Sequence, residues 1–512
     1  MVIGTSFSSI RIVNFIDSVV IIKSHSKGLN IHKHITDIGN MSSLPDWVTR
    51  YKKKGIAIEK RNGRYYASRI HSVWDAKKGR ARKVTDEYIG IVTPEGIIPP
   101  KHKRPKKISA ILEAGNFVYL DLFTSKLIRP LREFWPISWQ SILAAGALKL
   151  VYRDPLKRLS FRYQTSHACR LWPDAHLSKN SLTQLLDLLG REWDSQRSFF
   201  EELSKAESHM AIDLTQVLSN SQNISWLEKG YNAQGLHHDQ LQLLLLWGIE
   251  SHLPGFLKIL PGTSSSARNL ICAIWESRLK NVIVVGDKAF FSEDNVSDLE
   301  EYDTHYALSL KRDSKFLQHP VHSKYKDYFL YRKSTQWWRE YRWGDRRVVH
   351  YLDKVLAAEE ETVFLRRIEE RRASKKEYNV NKKRFGTLAI LTDTGLSPQK
   401  LYEFYKQRRE IELSFDALKN TLEGDKTWMQ SRESLQGYYF ILFIALHIYS
   451  QVLDHLRRKD ILKRYSVHDV LWGLSKVYTV NIDGKDMVGE VTKSTRKLIN
   501  EIEVPITEKL GS

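Results

Sequence analysis

A run of charged and aromatic residues in the last third of the chain has spacings that suit chemistry on phosphate. The intervals are 3, 4 and 7 residues between Tyr405, Arg408, Glu412 and Lys419. At about 100° per residue, the last three lie within roughly 40° of one another on a helix. A neighbouring apolar stripe is formed by Ile411, Phe415, Leu418 and Leu422. A metal-binding carboxylate beside phosphate-binding cations suits phosphoryl transfer.

Two aspartates upstream stand in strongly apolar segments. Asp213 lies in the predicted strand 210–214, and Asp287 directly follows the β-branched run 281–286. An acid within or at the end of a buried strand needs a partner or a metal ion. Asp287 also comes where a strand gives way to a loop, the edge at which α/β sites form.

Each of these features also has a purely structural explanation. The helix alone is explained by solvated (i, i+4) salt bridges, and each aspartate alone is more often structural. The three acids together, on two strands and one helix in this order, favour a metal-binding catalytic site made of Asp213, Asp287 and Glu412.

The predicted elements around these acids are an alternation of strands and helices that is typical of an α/β fold. We predict strands over 210–214, 240–249, 255–260, 281–286 and 306–310, with helices over 266–280 and 293–301. Strand, strand, strand, helix, strand, helix, strand is the layout of a ribonuclease H-like α/β core. Residues 311–385 do not continue this alternation, and we predict that they form a β-containing insertion. After the insertion we expect a strand at 386–392 and a helical stretch from Ser397 to about Arg458.

The remainder of the chain suggests flanking domains. The sequence predicts an uncertain extension over 1–40, a small basic β-rich module and linker over 41–107, a helical DNA-binding region over 108–208, core over 209–310 and 386–458, the insertion over 311–385, and a mainly helical C-terminal region over 459–512 with a hairpin at Asp483–Gly484. Asn62–Gly63 indicates a hairpin in the β-rich module. A cationic cluster in one predicted turn is a DNA contact or a solvated charged loop, and consists of Lys77, Lys78, Arg80, Arg82 and Lys83.

Charge and cysteine content narrow the function classes. The net charge of +21 favours a polyanionic partner, although a basic soluble surface is the alternative. The two cysteines exclude a disulfide framework and a four-ligand cysteine zinc site, and predict a reducing compartment. The run 10–22 is too short and too interrupted to span a bilayer, so we expect no membrane segment. Met41 opens a more ordinary stretch, and we expect residues 1–40 to be dispensable for DNA binding.

The signature around Glu412 resembles that of the insertion-sequence DDE transposases with a Tyr–x2–Arg–x3–Glu–x6–Lys motif, the fourth insertion-sequence family and its relatives. Asp213 in Ala-Ile-Asp-Leu-Thr resembles the first acid, and Asp287 in Val-Val-Gly-Asp-Lys-Ala-Phe-Phe resembles the second. Pro261-Gly262-Thr263 resembles the turn between them. Ala289 and Thr263 depart from the family pattern, but neither is an acid.

This resemblance implies a mechanism and partners. Asp213, Asp287 and Glu412 would hold two Mg²⁺ ions, for which Mn²⁺ can substitute, and would catalyse cut-and-paste cleavage and strand transfer of DNA ends. Contacts to DNA would come from Tyr405, Arg408, Lys419, Trp337 and Trp338, with a tryptophan stacking on a flipped base. The implied partners are double-stranded DNA, as terminal inverted repeats and target, and a second copy in a homodimer on paired ends. The implied location is the bacterial cytoplasm, at the nucleoid.

Two other functions fit the same residues. A non-catalytic DNA-binding protein derived from a transposase would keep the fold without the activity. A stand-alone nuclease would keep the acids but not pair DNA ends. The large basic flanking regions favour the transposase over the nuclease.

Overall fold

The computed structural model describes residues 44–103, 108–221, 223–231, 237–262, 266–279, 282–317 and 324–511. Within these ranges the protein is mixed α/β, as predicted. The chain divides into two compact units, 1–105 and 106–512. The predicted extension 1–40, Thr263 in the predicted turn and much of the basic linker lie outside the described residues.

The first unit is a small antiparallel sheet with strand order β1-β2-β3-β4. Its elements are α1 (Asp46–Thr49), β1 (Ile56–Arg61), β2 (Arg64–Asp75), β3 (Arg80–Thr93) and β4 (Gly96–Ile98). Asn62 and Gly63 form the β1–β2 turn with φ of 43° and 73°, so the hairpin signal is confirmed. A small core unites Val48, Tyr65, Ala67 and Val92.

The cationic cluster of this unit does not crowd one turn, so that expectation is wrong in part. Only Lys77 and Lys78 lie in the β2–β3 turn, whereas Arg80, Arg82 and Lys83 lie on β3. The reason is that the two strands stay paired up to Asp75 and Arg80, where Gly79 closes the turn at a φ of 57°.

The second unit begins with one strand and then a series of helices. These are β5 (Ile108–Glu113), α2 (Gly115–Asp121), α3 (Ser125–Phe134), α4 (Trp139–Tyr152), α5 (Leu159–Gln164), α6 (Ala168–Leu171), α7 (Lys179–Arg191) and α8 (Trp193–Ser204). Strand β5 was not predicted, because its partner lies near the other end of the chain. Helix α7 begins at Lys179, because Ser178 caps it by accepting a hydrogen bond from the Ser181 N–H.

A large sheet follows. Its first elements are β6 (His209–Ser219), β7 (Glu228–Tyr231), β8 (His237–Gly248), β9 (Leu253–Pro261), α9 (Ser266–Ser277), β10 (Ile283–Gly286), α10 (Glu293–Glu301) and β11 (Tyr306–Ser309). Every predicted element of this stretch is present, and β7 is an addition. Strands β9, β8 and β6 pair antiparallel, and β10 and β11 run parallel to β6 in the order β9-β8-β6-β10-β11.

The stretch predicted as an insertion extends this sheet. It contains β12 (Asp327–Tyr331), β13 (Ser334–Trp343), β14 (Arg346–Asp353), α11 (Lys354–Glu369) and α12 (Lys375–Asn381), and is followed by β15 (Thr387–Thr392). Because β14 pairs antiparallel with β15, and β15 with β11, strands β12–β14 belong to the same eleven-stranded sheet within the described residues.

The helical stretch expected from Ser397 to Arg458 is present but interrupted, so that prediction is wrong in part. The structure has α13 (Pro398–Gln407), α14 (Arg409–Asp416), a π-helical turn (Ala417–Thr421), β16 (Lys426–Thr427) and α15 (Arg432–Arg458). After the π turn, Glu423 has a φ of 51° and the Gly424 N–H bonds to the Leu418 carbonyl, which ends the helix. The chain then crosses to pair β16 with β6.

Helix α15 is the central helix of the unit, packed against α4, α7 and β9. By length and composition it could cross a bilayer, which the sequence reading did not anticipate. In the structure 72% of its most apolar window is buried inside the protein. Burial of this kind is what a core helix shows.

The C-terminal region contains α16 (Val467–Leu474), β17 (Tyr478–Ile482), β18 (Lys485–Val488), α17 (Lys493–Ile502) and α18 (Ile506–Gly511). Asp483 and Gly484 form the β17–β18 turn with φ of 51° and 84°, so this hairpin signal is confirmed. Strand β17 also pairs with β5, which joins the two ends of the unit.

The crossing of α7 and α15 depends on glycine and gives a stability prediction. A Cβ on Gly437 would lie 2.1 Å from the Leu186 carbonyl oxygen, and one on Gly190 would lie 1.9 Å from that of Glu433. Backbone atoms in packed helices cannot move aside cheaply, so Gly437→Ala should destabilise the protein by about 1–3 kcal/mol despite the better helix propensity of Ala. Its thermal midpoint should fall in differential scanning calorimetry.

Gly395→Ala is the matched control for this prediction, because a Cβ at Gly395 would meet open space. The control should keep or slightly raise the thermal midpoint. Equal midpoints for the two variants would contradict the close helix crossing.

Candidate active site

Asp213 is held in the middle of the large sheet. It lies on β6, and its Oδ1 accepts a hydrogen bond from the Leu214 N–H at 2.8 Å. Burial raises the pKa of Asp213, and the positive charge of Arg408 opposes this shift only in part. The charges of Asp287 and Glu412 raise that pKa further. A buried carboxylate of this kind favours a nearby cation.

Asp287 lies beside Asp213 because of strand register. Parallel strands β10 and β6 pair Val285 with Ala211, and each aspartate comes two residues after its member of that pair. The Oδ1 of Asp287 accepts hydrogen bonds from the Lys288 N–H at 2.7 Å and from the Ser309 hydroxyl at 3.2 Å. The parallel register therefore places the two aspartates side by side.

Glu412 reaches the same place from a helix. Helix α14 packs against β6 and β8, and its buried side carries Ile411 and Phe415. The Glu412 side chain lies at the margin of the helix and is about half exposed. Three elements far apart in sequence thus bring the three predicted acids together.

The guanidinium of Arg408 joins the three acids. Its Nη1 lies 2.9 Å from Asp213 Oδ2, and its Nη2 lies 3.3 Å from Glu412 Oε1 and 3.8 Å from Asp287 Oδ2. The Arg408 side chain is only 13% exposed. Burial lowers its pKa, but the surrounding carboxylates outweigh burial and the pKa is raised. Arg408 is therefore an ion-pair centre in this structure, a position that the sequence reading did not foresee.

The charges and donor atoms of this cluster fit a hard divalent cation. Three ionised carboxylates and one guanidinium sum to a net charge of −2 (−3 + 1), and carboxylate oxygens are the ligands that Mg²⁺ and Mn²⁺ prefer. Within the described residues, no three His, Cys, Asp or Glu side chains are yet grouped closely enough to hold an ion. The cation that contacts all three acids in the structure is the Arg408 guanidinium.

Residues 204–448 match the family model of the transposase DDE domain. That segment contains Asp213, Asp287, Arg408 and Glu412. No curated protein matches the chain significantly.

Two solved transposase structures show weak similarity to the chain. One is a cryo-EM structure of the piggyBac transposase synaptic complex with hairpin DNA, with 11% identity, a TM-score of 0.37, and coverage of 77% of this chain and 80% of that one. The other is a Mos1 transposase paired-end complex with the left transposon end, with 13% identity, a TM-score of 0.14, and coverage of 32% and 56%. Both TM-scores are too low for a fold to be inferred.

In the described part of the chain, Tyr405 and Lys419, the other two residues of the predicted Tyr–Arg–Glu–Lys signature, do not bond to the three acids as Arg408 does. Tyr405 lies on α13 with its ring centroid 5.9 Å from Arg408 Cζ, and burial raises its pKa. Lys419 lies in the π turn, where burial lowers its pKa and the nearby charge of Asp425 opposes that shift. No ion pair in the described ranges joins Lys419 to the three acids. Arg408 follows α13, Glu412 lies on α14 and Lys419 lies in the π turn, so the three do not share one regular helix, and their common face stays a prediction.

The predicted DNA-contacting tryptophans are neighbours on β13. Trp337 is half-buried, with its ring 4.6 Å from Lys354 Nζ. Trp338 is half-buried on the other side of the strand, with its ring 5.5 Å from Lys326 Nζ. Neither contacts the acids in the structure, so their part in DNA binding stays a prediction.

A groove next to the acids contains functional candidates that the sequence reading missed. One part of the groove encloses about 670 Å³ and has Asp287 in its wall, and an adjoining part of about 460 Å³ has Glu412 in its wall. Several basic or hydroxyl groups line the first part, namely Lys288, Ser309, Lys311, Arg312 and Lys406. Burial lowers the pKa of Lys406. The adjacency of Lys406 to Tyr405, and the position of Ser309 at the end of the strand beside β10, were signals available in the sequence.

Ser309 gives a prediction about the second acid. Its hydroxyl donates a hydrogen bond to Asp287 Oδ1, and if Asp287 binds a metal ion, the loss of such an outer contact typically costs 10–100-fold in activity or metal affinity. We expect Ser309→Ala to lower the metal-dependent DNA cleavage rate by about 10–100-fold without a change in DNA affinity. Ser309→Thr, which restores a hydroxyl, should recover part of the rate.

Thr362→Ala serves as the control, because that exposed hydroxyl bonds only within its own helix. Cleavage by Ser309→Ala at the same rate as by Thr362→Ala would show that Ser309 does not position Asp287.

Proposed function

We propose that this protein is a DDE transposase that cleaves and joins the DNA ends of an insertion sequence, with Asp213, Asp287 and Glu412 as its catalytic acids. The observation that carries the proposal is the convergence of these acids, from β6, the end of β10 and α14, on one shared cation. The convergence lies inside the segment that matches the transposase DDE domain. The basic balance of +21 suits a DNA substrate.

The proposal includes a ribonuclease H-like core. Support comes from the order β9-β8-β6-β10-β11, in which three antiparallel strands are followed by two strands parallel to the first. It also includes membership of the family with the Tyr–Arg–Glu–Lys signature, supported by the spacing of Tyr405, Arg408, Glu412 and Lys419. In this assignment β12–β14 and α11–α12 are the insertion that precedes the catalytic glutamate.

The three acids would hold two Mg²⁺ ions, or Mn²⁺ in their place. When bound, the ions activate the attacking hydroxyl and stabilise the leaving oxygen of an in-line displacement. The protein's own part is to hold the three carboxylates together, two from neighbouring strands of the sheet and one from helix α14. Ser309 fixes Asp287, and the backbone N–H of Leu214 fixes Asp213. Arg408 neutralises the acids until it is released to a DNA phosphate.

The groove beside the acids is the proposed binding site for the DNA backbone. Tyr405 and Lys406 line it, and Lys419 lies beyond α14, so a phosphate backbone that enters the groove would be gripped near the reacting bond. Trp337 and Trp338 are proposed to stack on a base displaced from the duplex end. Terminal inverted repeats and target DNA are the proposed partners, bound by a homodimer, in the cytoplasm at the nucleoid.

One observation favours a second function. Within the described residues the acids are separated by the Arg408 guanidinium, and no ready metal cluster exists. A transposase-derived protein that binds DNA without cutting it would look the same. The two functions differ in whether a divalent ion can displace that guanidinium.

The experiment that tests the proposal is cleavage of the element's own ends. Purified protein is incubated with duplexes that carry the terminal repeats flanking its coding region, with Mg²⁺, with Mn²⁺ and with EDTA. We expect nicks at the boundary of the repeat with either ion and none with EDTA. Binding to the repeats without any cleavage in either ion would establish the DNA-binding alternative.

A further inference from the structure

The hairpin of β2 and β3 extends well past the core of the first unit. The core ends near Tyr65, Ala67 and Val92, whereas the strands remain paired from Ile70 and Thr85 to Asp75 and Arg80. Residues 71–74 and 76–83 are all exposed. Six further cross-strand pairs at about 3.3 Å per residue make a two-stranded ribbon roughly 17 Å long. We call residues 70–85 the ribbon.

The end of the ribbon carries a high density of exposed positive charge. It carries five cations, with Lys77 and Lys78 in the turn and Arg80, Arg82 and Lys83 on β3. Among residues 44–103, none of the five forms an ion pair with an acid. The base of the hairpin is different, because there Asp86 pairs with His71 and Glu87 pairs with Arg69. The excess positive charge is thus concentrated at the projecting end.

The cations occupy both faces of the ribbon. Cross-strand partners share a face, so Arg82 lies with Val73, and Lys83 lies with Ser72 on the other side. Trp74 lies on the Lys83 face and is 67% exposed. A ribbon that rested on its own unit would bury one face and keep its charges on the other. Charge on both faces suits an element that enters a polyanionic groove.

We propose that the ribbon binds duplex DNA by inserting its end into the major groove. That groove is about 12 Å wide and admits a two-stranded antiparallel ribbon. Cations on each face would contact the phosphates of the groove's two walls, and Trp74 would offer an apolar contact to base edges. This inference rests on the proposed function, because the duplex in question is the transposon end.

The experiment compares two triple variants of the full chain. Lys77→Ala, Lys78→Ala and Arg82→Ala together remove three ribbon cations, and Lys52→Ala, Lys53→Ala and Lys54→Ala together remove three exposed lysines elsewhere on the unit. Affinity for a labelled duplex with the terminal repeat, and for a scrambled duplex, is measured by fluorescence anisotropy across a salt series. Each lost phosphate contact should lower the slope of log K against log salt by about 0.9.

We expect the ribbon variant to lose at least about tenfold in affinity near 0.1 M salt, with a slope smaller by about 2–3. The lysine control should change affinity less than about threefold, as should a charge-keeping ribbon variant with Lys77→Arg, Lys78→Arg and Arg82→Lys. The proposal would be overturned if the ribbon variant kept the wild-type slope of log K against log salt. It would also be overturned if the lysine control lost as much DNA affinity as the ribbon variant. Wild-type protein that binds through the ribbon but never cleaves would overturn the proposed function and leave the ribbon standing.

Discussion

Glu412→Gln should lower DNA end cleavage by roughly three orders of magnitude, because a neutral amide cannot replace a charged oxygen ligand in a metal-dependent phosphoryl transfer. The helix should persist, since Gln and Glu have nearly equal helix propensity. End binding in a gel-shift assay should stay near wild type or tighten slightly, because one negative charge leaves the DNA face. Asp213→Asn and Asp287→Asn should behave alike, and their combination should add little.

Glu410→Gln is the matched control, because it makes the same change of charge on the same helix. Glu410 lies two residues earlier on α14, but its carboxylate pairs with Arg457 at 2.8 Å and not with Arg408. It should leave the cleavage rate within about threefold of wild type. If Glu412→Gln cleaves as fast as Glu410→Gln, Glu412 is not a ligand of the reacting centre.

Arg408→Gln should have two opposite effects. Without the guanidinium the net charge of the cluster falls from −2 to −3, and a unit charge at about 4 Å is worth on the order of 1–4 kcal/mol. Affinity for Mn²⁺ should therefore rise by at least about tenfold, measured as a metal-induced increase in thermal midpoint in the absence of DNA. Cleavage should fall by about 100-fold, because the phosphate contact is lost.

Lys400→Gln is the matched control, since it removes one exposed positive charge from α13 away from the acids. Its Mn²⁺ titration should match wild type. If Arg408→Gln binds Mn²⁺ no more tightly than the Lys400 variant does, the guanidinium and the ion do not compete for one place.

Local sequence pattern was sufficient to predict the two strands and the helix that carry the three acids. The β-branched run before Asp287 gave strand β10, and the apolar run around Asp213 gave part of β6. Parallel pairing of β10 with β6 then brings the two aspartates side by side. The amphipathic pattern of 411–418 likewise placed Glu412 on a helix with a buried side.

The same pattern could not reveal the position of Arg408. Its bond to Asp213 joins residues 195 positions apart, and no local periodicity encodes such a contact. Local periodicity also cannot fix where Lys419 lies relative to Glu412, because a π turn holds more residues per turn than an α-helix and changes the phase of the positions within and after it. The union of β12–β14 with the main sheet depends on the pairing of β14 with β15, which edge-strand composition does not specify.

In the proposed function the three acids form a divalent metal site, and the Arg408 guanidinium contacts all three of them in this structure. The most direct test is a structure of the full chain determined in saturating Mn²⁺, with the ion located by its anomalous scattering. We expect an anomalous peak among the carboxylates of Asp213, Asp287 and Glu412, with the Arg408 guanidinium withdrawn from Asp213. The contrary result is a guanidinium still bonded to Asp213 and Glu412, with no peak between the acids at saturating Mn²⁺.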